Sequence, residues 1–176
     1  LLLRKEFSLD ARLKWPNDIV VGGRKCGGIL LQRSGPPENG TVVVGVGLNL
    51  GTEPGSFPGD LQGRATSYRI ETGRAVSPGA VGGALLARIA GKTGRFVTEG
   101  WQADRDSLAL MDSLLGQRVQ LDLAGEVYRG RAAGIDDDGG LMLVTEDGHS
   151  RSFCVGDVHL VPLPGADPGQ IDHRES

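Results

Sequence analysis

Short apolar or alternating runs in this chain are closed repeatedly by glycine-containing turns. That punctuation limits it to short strands joined by tight hairpins. Ile19-Val20-Val21 runs into Gly22-Gly23, Asp136-Asp137-Asp138-Gly139-Gly140 precedes Leu141-Met142-Leu143-Val144, and Asp147-Gly148 precedes residues 150–155. Glycine fills 29 of 176 positions, more than twice the roughly 7% of average usage. The glycines follow no G-X-Y period, so a collagen-like rod is excluded.

Between the turns, the spacing predicts strands at residues 11–15 (stopped by Pro16), 19–21, 28–32 and 41–50. The continuous Val42-Val43-Val44 run predicts a strand covered on both faces. Residues 1–7 read as the end of a helix. Ser77-Pro78 reads as a helix start, with Ser as N-cap and Pro at the first helical position. Val81, Leu85, Ile89 and Phe96 form its apolar stripe. Gly82, Gly83, Gly91 and Gly94 each weaken that helix by about 1 kcal/mol relative to Ala, so packing must sustain it. Residues 100–110 predict a second helical stretch, with Trp101 as a core anchor.

The pattern changes near Gly116. Arg118-Val119-Gln120-Leu121-Asp122-Leu123 alternates strictly, and runs at 126–135, 141–144, 150–155 and 157–161 follow. Such spacing predicts a small antiparallel barrel whose buried face is Val119, Leu121, Leu123, Leu141, Leu143, Phe153 and Val158. The expected class is α+β: a partial mixed β-sheet with helices over residues 1–112, a small barrel over 113–163, and a disordered tail over 164–176. Charge divides at the same place. Residues 1–112 carry a net +3 and residues 113–176 a net −6, giving −3 overall, a balance that disfavours general binding to a nucleic-acid backbone. No apolar run reaches the roughly 18 residues of a membrane span. Leu1-Leu2-Leu3-Arg4-Lys5 puts apolar before basic, the reverse of a secretory signal. Cys26 and Cys154 form no CxxC and no disulfide framework, so a reducing, cytoplasmic setting is expected.

The densest chemistry lies in Lys14-Trp15-Pro16-Asn17-Asp18 and Arg24-Lys25-Cys26-Gly27-Gly28-Ile29-Leu30. A hairpin brings both halves to one end of a sheet. Lys25, seven residues after Asp18, can meet it across the turn as a charge-assisted pair. An ammonium beside the backbone N–H groups of Gly27 and Gly28 suits a phosphate or carboxylate. Asn17 adds a neutral donor and acceptor, and Asp18 can hold Mg²⁺. On the residues alone, an ordinary charged hairpin with a structural Asp–Lys pair is the simpler reading.

Those two segments, in that order and spacing, resemble the central signature of biotin–protein ligases. Val46-Gly47-Leu48-Asn49-Leu50 resembles the family's next strand end. Gly130-Arg131 and Gly134-Ile135-Asp136 match the wording of its C-terminal small barrel. The resemblance spans about residues 8–161 and begins at the helix before Lys14-Trp15-Pro16-Asn17-Asp18. The family's GRGRxGR-type loop has no counterpart here, so the resemblance implies a C-terminal portion whose activity alone is in question. No winged-helix segment is present, and no DNA partner is expected.

What the resemblance implies is ATP-dependent conversion of biotin to biotinyl-5′-AMP, then transfer to a lysine of a biotin carboxyl carrier domain of a carboxylase. Biotin, ATP and Mg²⁺ are the implied ligands. Lys25 and Asp18 are implied as catalytic, with Asp18 also at the metal. Lys14, Asn17, Gly27, Gly28, Leu30 and Asn49 are implied as ligand-binding, Leu30 lining the biotin pocket and Asn49 lying beside the nucleotide. A homodimer through a sheet edge is a further expectation. The alternatives are a lipoate–protein ligase relative and a non-catalytic module that docks a carrier domain.

Other residues read more simply. Asp136-Asp137-Asp138 before Gly139-Gly140 is a turn. Cys26 is a packing residue and Cys154 a buried strand residue. Trp15 reads as core or as a stacking wall. His149, His159 and His173 lack ligand spacing.

Overall fold

The computed structural model describes residues 2–36 and 38–161. The chain forms two compact units that divide between Ser113 and Leu114. The expected tail at 164–176, and the end of the expected barrel at 162–163, lie outside the described residues.

The first unit opens with helix α1 (Leu2–Glu6), followed by strands β1 (Arg12–Lys14), β2 (Asp18–Val21), β3 (Arg24–Ser34) and β4 (Thr41–Leu48). They form a four-stranded sheet in the order β1-β2-β3-β4, antiparallel at every pairing. The expected mixed sheet is therefore an antiparallel one; parallel pairing among the described residues is confined to two isolated bridges, Leu13 with Asp112 and Lys25 with Ala65. Gly22 and Gly23 close the β2–β3 hairpin with φ of 54° and 76°, the doubly positive pair that a type I′ turn requires. One face of this sheet carries Ile19, Val21, Cys26, Ile29, Val46 and Leu48. It packs with Leu3, Leu9 and Tyr68 and with Val81 and Leu85 of helix α3 (Pro78–Glu99). Ser77 caps α3 as expected, its hydroxyl accepting from the Ala80 N–H. Between β4 and α3, Ser67 caps the short helix α2 (Tyr68–Thr72), which ends at Gly73 in the left-handed region.

The two-faced burial expected of residues 41–50 is not found. Val42, Val43 and Val44 are exposed, as are Leu30 and Leu31 opposite. Among the described residues β4 is an edge strand whose sole strand partner is β3. Core cover along this face stops at the Ile29–Val46 rung, and the next rung, Leu31–Val44, lies outside it. The helical stripe also runs out: Val81 is buried and Phe96 is exposed. Trp101, in a single 3-10 turn before helix α4 (Arg105–Ala109), is only half-buried and is no core anchor.

The second unit contains β5 (Arg118–Leu123), β6 (Glu126–Ile135), β7 (Leu141–Thr145), β8 (Ser150–Phe153) and β9 (Asp157–Leu160). Its sheet runs β8-β7-β6-β5-β9, antiparallel throughout. The order has two ends, so the small barrel is an unclosed one. Val119, Leu121, Leu141, Leu143, Phe153 and Val158 are buried as expected, joined by Leu114 and Ala132, while Leu123 is half-buried. Cys154, expected inside, is exposed, because β8 ends at Phe153. Asp136 is the turn residue expected: its Oδ1 accepts the N–H groups of Asp138 at 2.9 Å and Gly140 at 2.8 Å.

Candidate functional site

The two segments rich in polar chemistry meet across the β2–β3 hairpin, and one irregularity decides what they present. Asp18 pairs with Gly28 and Ile19 with Gly27, but Val20 then pairs with Lys25, so Cys26 is an extra residue. Side chains alternate along a strand, and a regular register would place Lys25 opposite Val21, on the core face. The bulge at Cys26 returns Lys25 to the face of Asp18 and Gly28. Its Nζ lies 2.5 Å from Asp18 Oδ1, with the Lys25 side chain 56% exposed and that of Asp18 21% exposed. Asp18 opens β2 rather than sitting in a turn.

The register extends this face across the sheet. Lys14 pairs with Asp18, Asp18 with Gly28, and Gly28 with Gly47; in the next row Arg12 pairs with Val20 and Val20 with Lys25. Arg12, Lys14 and Lys25 thus share one sheet face with Asp18, the one acidic residue on that face among the described strand residues. Beside them the floor is bare backbone. A Cβ on Gly28 would stand 3.4 Å from Asn17 O, 3.9 Å from Asp18 Oδ1 and 3.9 Å from Lys25 Cε, and one on Gly47 would meet nothing within 4 Å. Such a glycine floor lets a flat ligand lie against the strands with its anionic end at Lys25.

The other expected residues fall around it. Asn17 is exposed, and its carbonyl accepts the Ile29 N–H at 2.8 Å. Leu30, 65% exposed, lies one rung beyond Gly28 opposite Gly45. Gly27 belongs to close packing: a Cβ there would lie 2.3 Å from Gly47 O. Asn49 is tied into the end of β4. Its N–H donates to Cys26 O at 2.8 Å and its side-chain amide to Thr66 O at 3.0 Å. Trp15 is half-buried. Cys26 is buried, and its thiol is pushed up to about 11 by burial and then by the negative charge of Glu71. That keeps it protonated, as a packing residue should be.

Sequence reasoning missed the support beneath Lys25. The Lys25 N–H donates to Arg64 O and its carbonyl accepts the Thr66 N–H, both at 2.8 Å. Thr66 is fully buried, and its hydroxyl donates to Glu71 Oε1. The same oxygen accepts from Arg24 Nη2 at 2.8 Å. No local pattern announces contacts across such separations. The alternation of Gly45 and Gly47 opposite Leu30 and Gly28 was the available sign of a bare floor.

Comparison with known proteins finds similarity in both units of the chain. Residues 3–49, which contain the Asp18–Lys25 hairpin, match the biotin/lipoate A/B protein ligase family model. Residues 114–161 match the biotin protein ligase C-terminal domain. Both units of the chain resemble biotin protein ligases. A bifunctional ligase/repressor BirA of Bacillus subtilis is 30% identical over 162 residues, covering 90% of this chain and 49% of that protein. A biotin–[acetyl-CoA-carboxylase] ligase of Paracoccus denitrificans is 34% identical over 139 residues, covering 74% of this chain and 55% of the relative. The chain spans about half the length of these curated relatives. The fold agrees: the apo structure of biotin protein ligase from Aquifex aeolicus matches at a TM-score of 0.79 and 24% identity, over 90% of this chain and 69% of that one. Among the described residues, no helix is long and apolar enough to cross a membrane.

Proposed function

We propose that the chain is part of a biotin protein ligase, activating biotin as biotinyl-5′-AMP and passing it to a lysine of a biotin carboxyl carrier domain. The carrying observation is the bulge that aims Lys25 beside Asp18 over the Gly28–Gly47 floor, within the segment matched to the ligase family. In the first step a carboxylate oxygen of biotin attacks the α-phosphorus of ATP. The new O–P bond forms as the bond to the β-phosphate breaks, and pyrophosphate leaves. Negative charge gathers on non-bridging oxygens, where an aimed ammonium lowers the barrier. Lys25 supplies that charge, and Asp18 holds it in place. Lys14 and Arg12, in the same rows, add positive potential along the path of the phosphates. In the second step the carrier lysine amine attacks the acyl carbon and AMP departs. Asp18 is the one acidic residue on this face among the described strand residues, suited to orienting that amine.

Mg²⁺ is usually held by one or two carboxylates together with substrate phosphates, and Asp18 fits that role as a single protein ligand. The ion would offset phosphate charge. The second unit, matching the C-terminal domain of biotin protein ligases, favours biotin over lipoate. Incubating the chain, alone and joined to the Gly/Arg-rich segment of a relative, with labelled ATP, biotin and a carrier domain tests the proposal. Biotin on the carrier lysine is expected. Transfer of lipoate in preference to biotin, or no adenylate from either form, would overturn it.

A further inference from the structure

We propose that Glu71 is a positioning residue that holds the Lys25 ammonium on the open face of the first sheet. This rests on the reading of Lys25 as the group facing the substrate anion. Lys25 owes its direction to one extra residue, Cys26, and a bulge in a strand is free to slide unless its neighbours are pinned. Two neighbours are pinned by one carboxylate oxygen. Arg24, immediately before Lys25, donates to Glu71 Oε1 at 2.8 Å. Thr66, whose N–H caps the Lys25 carbonyl, donates its hydroxyl to the same oxygen. Arg64 completes the bracket by accepting the Lys25 N–H at 2.8 Å. The stretch from Arg64 to Thr66 thus runs beside the bulge as a short clamp, and Glu71 closes it from α2.

The surroundings make this carboxylate hard to replace. Its side chain is 15% exposed, and Thr66 has no exposure at all. A buried hydroxyl deprived of its acceptor is strongly unfavourable, so removing Glu71 forces the clamp to move. On the far side Asn49 donates its amide to Thr66 O, tying the end of β4 to the same residue. The hydrogen-bond partners of the Glu71 carboxylate among the described residues are Arg24 and Thr66, not residues of the open face. It acts through Arg24 and Thr66, and its effect on a ligand must pass through Lys25.

Amide hydrogen exchange on the 176-residue chain, compared in wild type, Glu71→Ala and Glu71→Gln, reads this directly. In Glu71→Ala the Lys25 and Thr66 amides should exchange about tenfold faster or more. The Ile29 amide, bonded to Asn17 O in the same sheet, should hold its rate. Glu71→Gln keeps an acceptor for Thr66 and should fall between. If Glu71→Ala does not fold, Glu71→Gln carries the test at the same amides. Unchanged exchange at Lys25 and Thr66, or an equal rise at Ile29, would overturn the proposal. Calorimetric binding of biotinyl-5′-AMP adds the functional arm: Glu71→Gln should lose about tenfold in affinity on the wild-type background and none on a Lys25→Met background. Equal losses on both backgrounds would also overturn it. A Lys25→Met chain that binds like wild type, with the exchange pattern as expected, would keep Glu71 as the clamp on Lys25 and overturn the reading of the site instead.

Discussion

Gly27 and Gly28 are adjacent and lack side chains for opposite reasons. A methyl group on Gly27 would sit 2.3 Å from a backbone carbonyl, whereas one on Gly28 would make ordinary contact and project into the Asp18–Lys25 site. Gly27→Ala should destabilise the first unit by about 1–3 kcal/mol. Gly28→Ala should leave its thermal midpoint nearly unchanged while weakening biotinyl-5′-AMP binding. Thermal unfolding followed by tryptophan emission checks the first half, since Trp15 and Trp101 both lie in that unit. The cysteines offer a second check. Cys154 is exposed, whereas Cys26 is buried with its thiol pushed up to about 11. A thiol reagent near neutral pH should label Cys154 quickly and Cys26 only as the chain opens, which mass mapping resolves. The Asp18–Lys25 pairing was legible because the two residues bracket one glycine turn. Glu71 was not, because its contact with Arg24 joins residues 47 apart in the chain.

At the level of elements, turns were the most readable feature and registers the least. Gly22-Gly23 announces its hairpin, and Ser77-Pro78 its helix. Nothing in Arg24-Lys25-Cys26-Gly27 announces a bulge, since one inserted residue leaves composition untouched and reverses which side chains face out. The valine run misled for a related reason. Continuous β-branched residues suit a covered strand, but cover is set by what packs on the sheet, and β4 is an edge strand whose Val42, Val43 and Val44 pair with β3 yet stay exposed. Val43, 58% exposed, should accept Lys with a stability change within about 0.5 kcal/mol, as surface positions generally do. A loss of the size seen for core positions in a urea titration would restore the two-faced reading.

For the whole molecule, the change of pattern near Gly116 and the change of charge sign both signalled two units, and the chain divides between Ser113 and Leu114. The acidic unit should respond to acid through identified groups. Hydrogen bonds from Thr145 and the His149 N–H hold the Asp147 carboxyl near 2, and those from Ser152 and Gly140 hold Asp136 below its ordinary value. A carboxyl lowered in the folded state stabilises above its unfolded value and loses that contribution as pH falls through the folded one. The second unit should therefore weaken between about pH 4 and about pH 2. The double variant Asp136→Asn, Asp147→Asn should flatten that response in the amide signals of Leu141 and Leu143, and an unchanged acid midpoint would contradict it. The barrel strands were legible through strict alternation, but closure was not, since it depends on pairing between terminal strands. The proposed chemistry depends above all on Lys25 as the cation facing the reacting oxygens. Its most direct test is the rate of biotinyl-5′-AMP formation by wild type and Lys25→Ala, each joined to the Gly/Arg-rich segment of a relative. The rate should fall by about 10²-fold or more in Lys25→Ala, the size of a lost oxyanion donor; a change of less than about threefold, well short of such a loss, would contradict that role for Lys25.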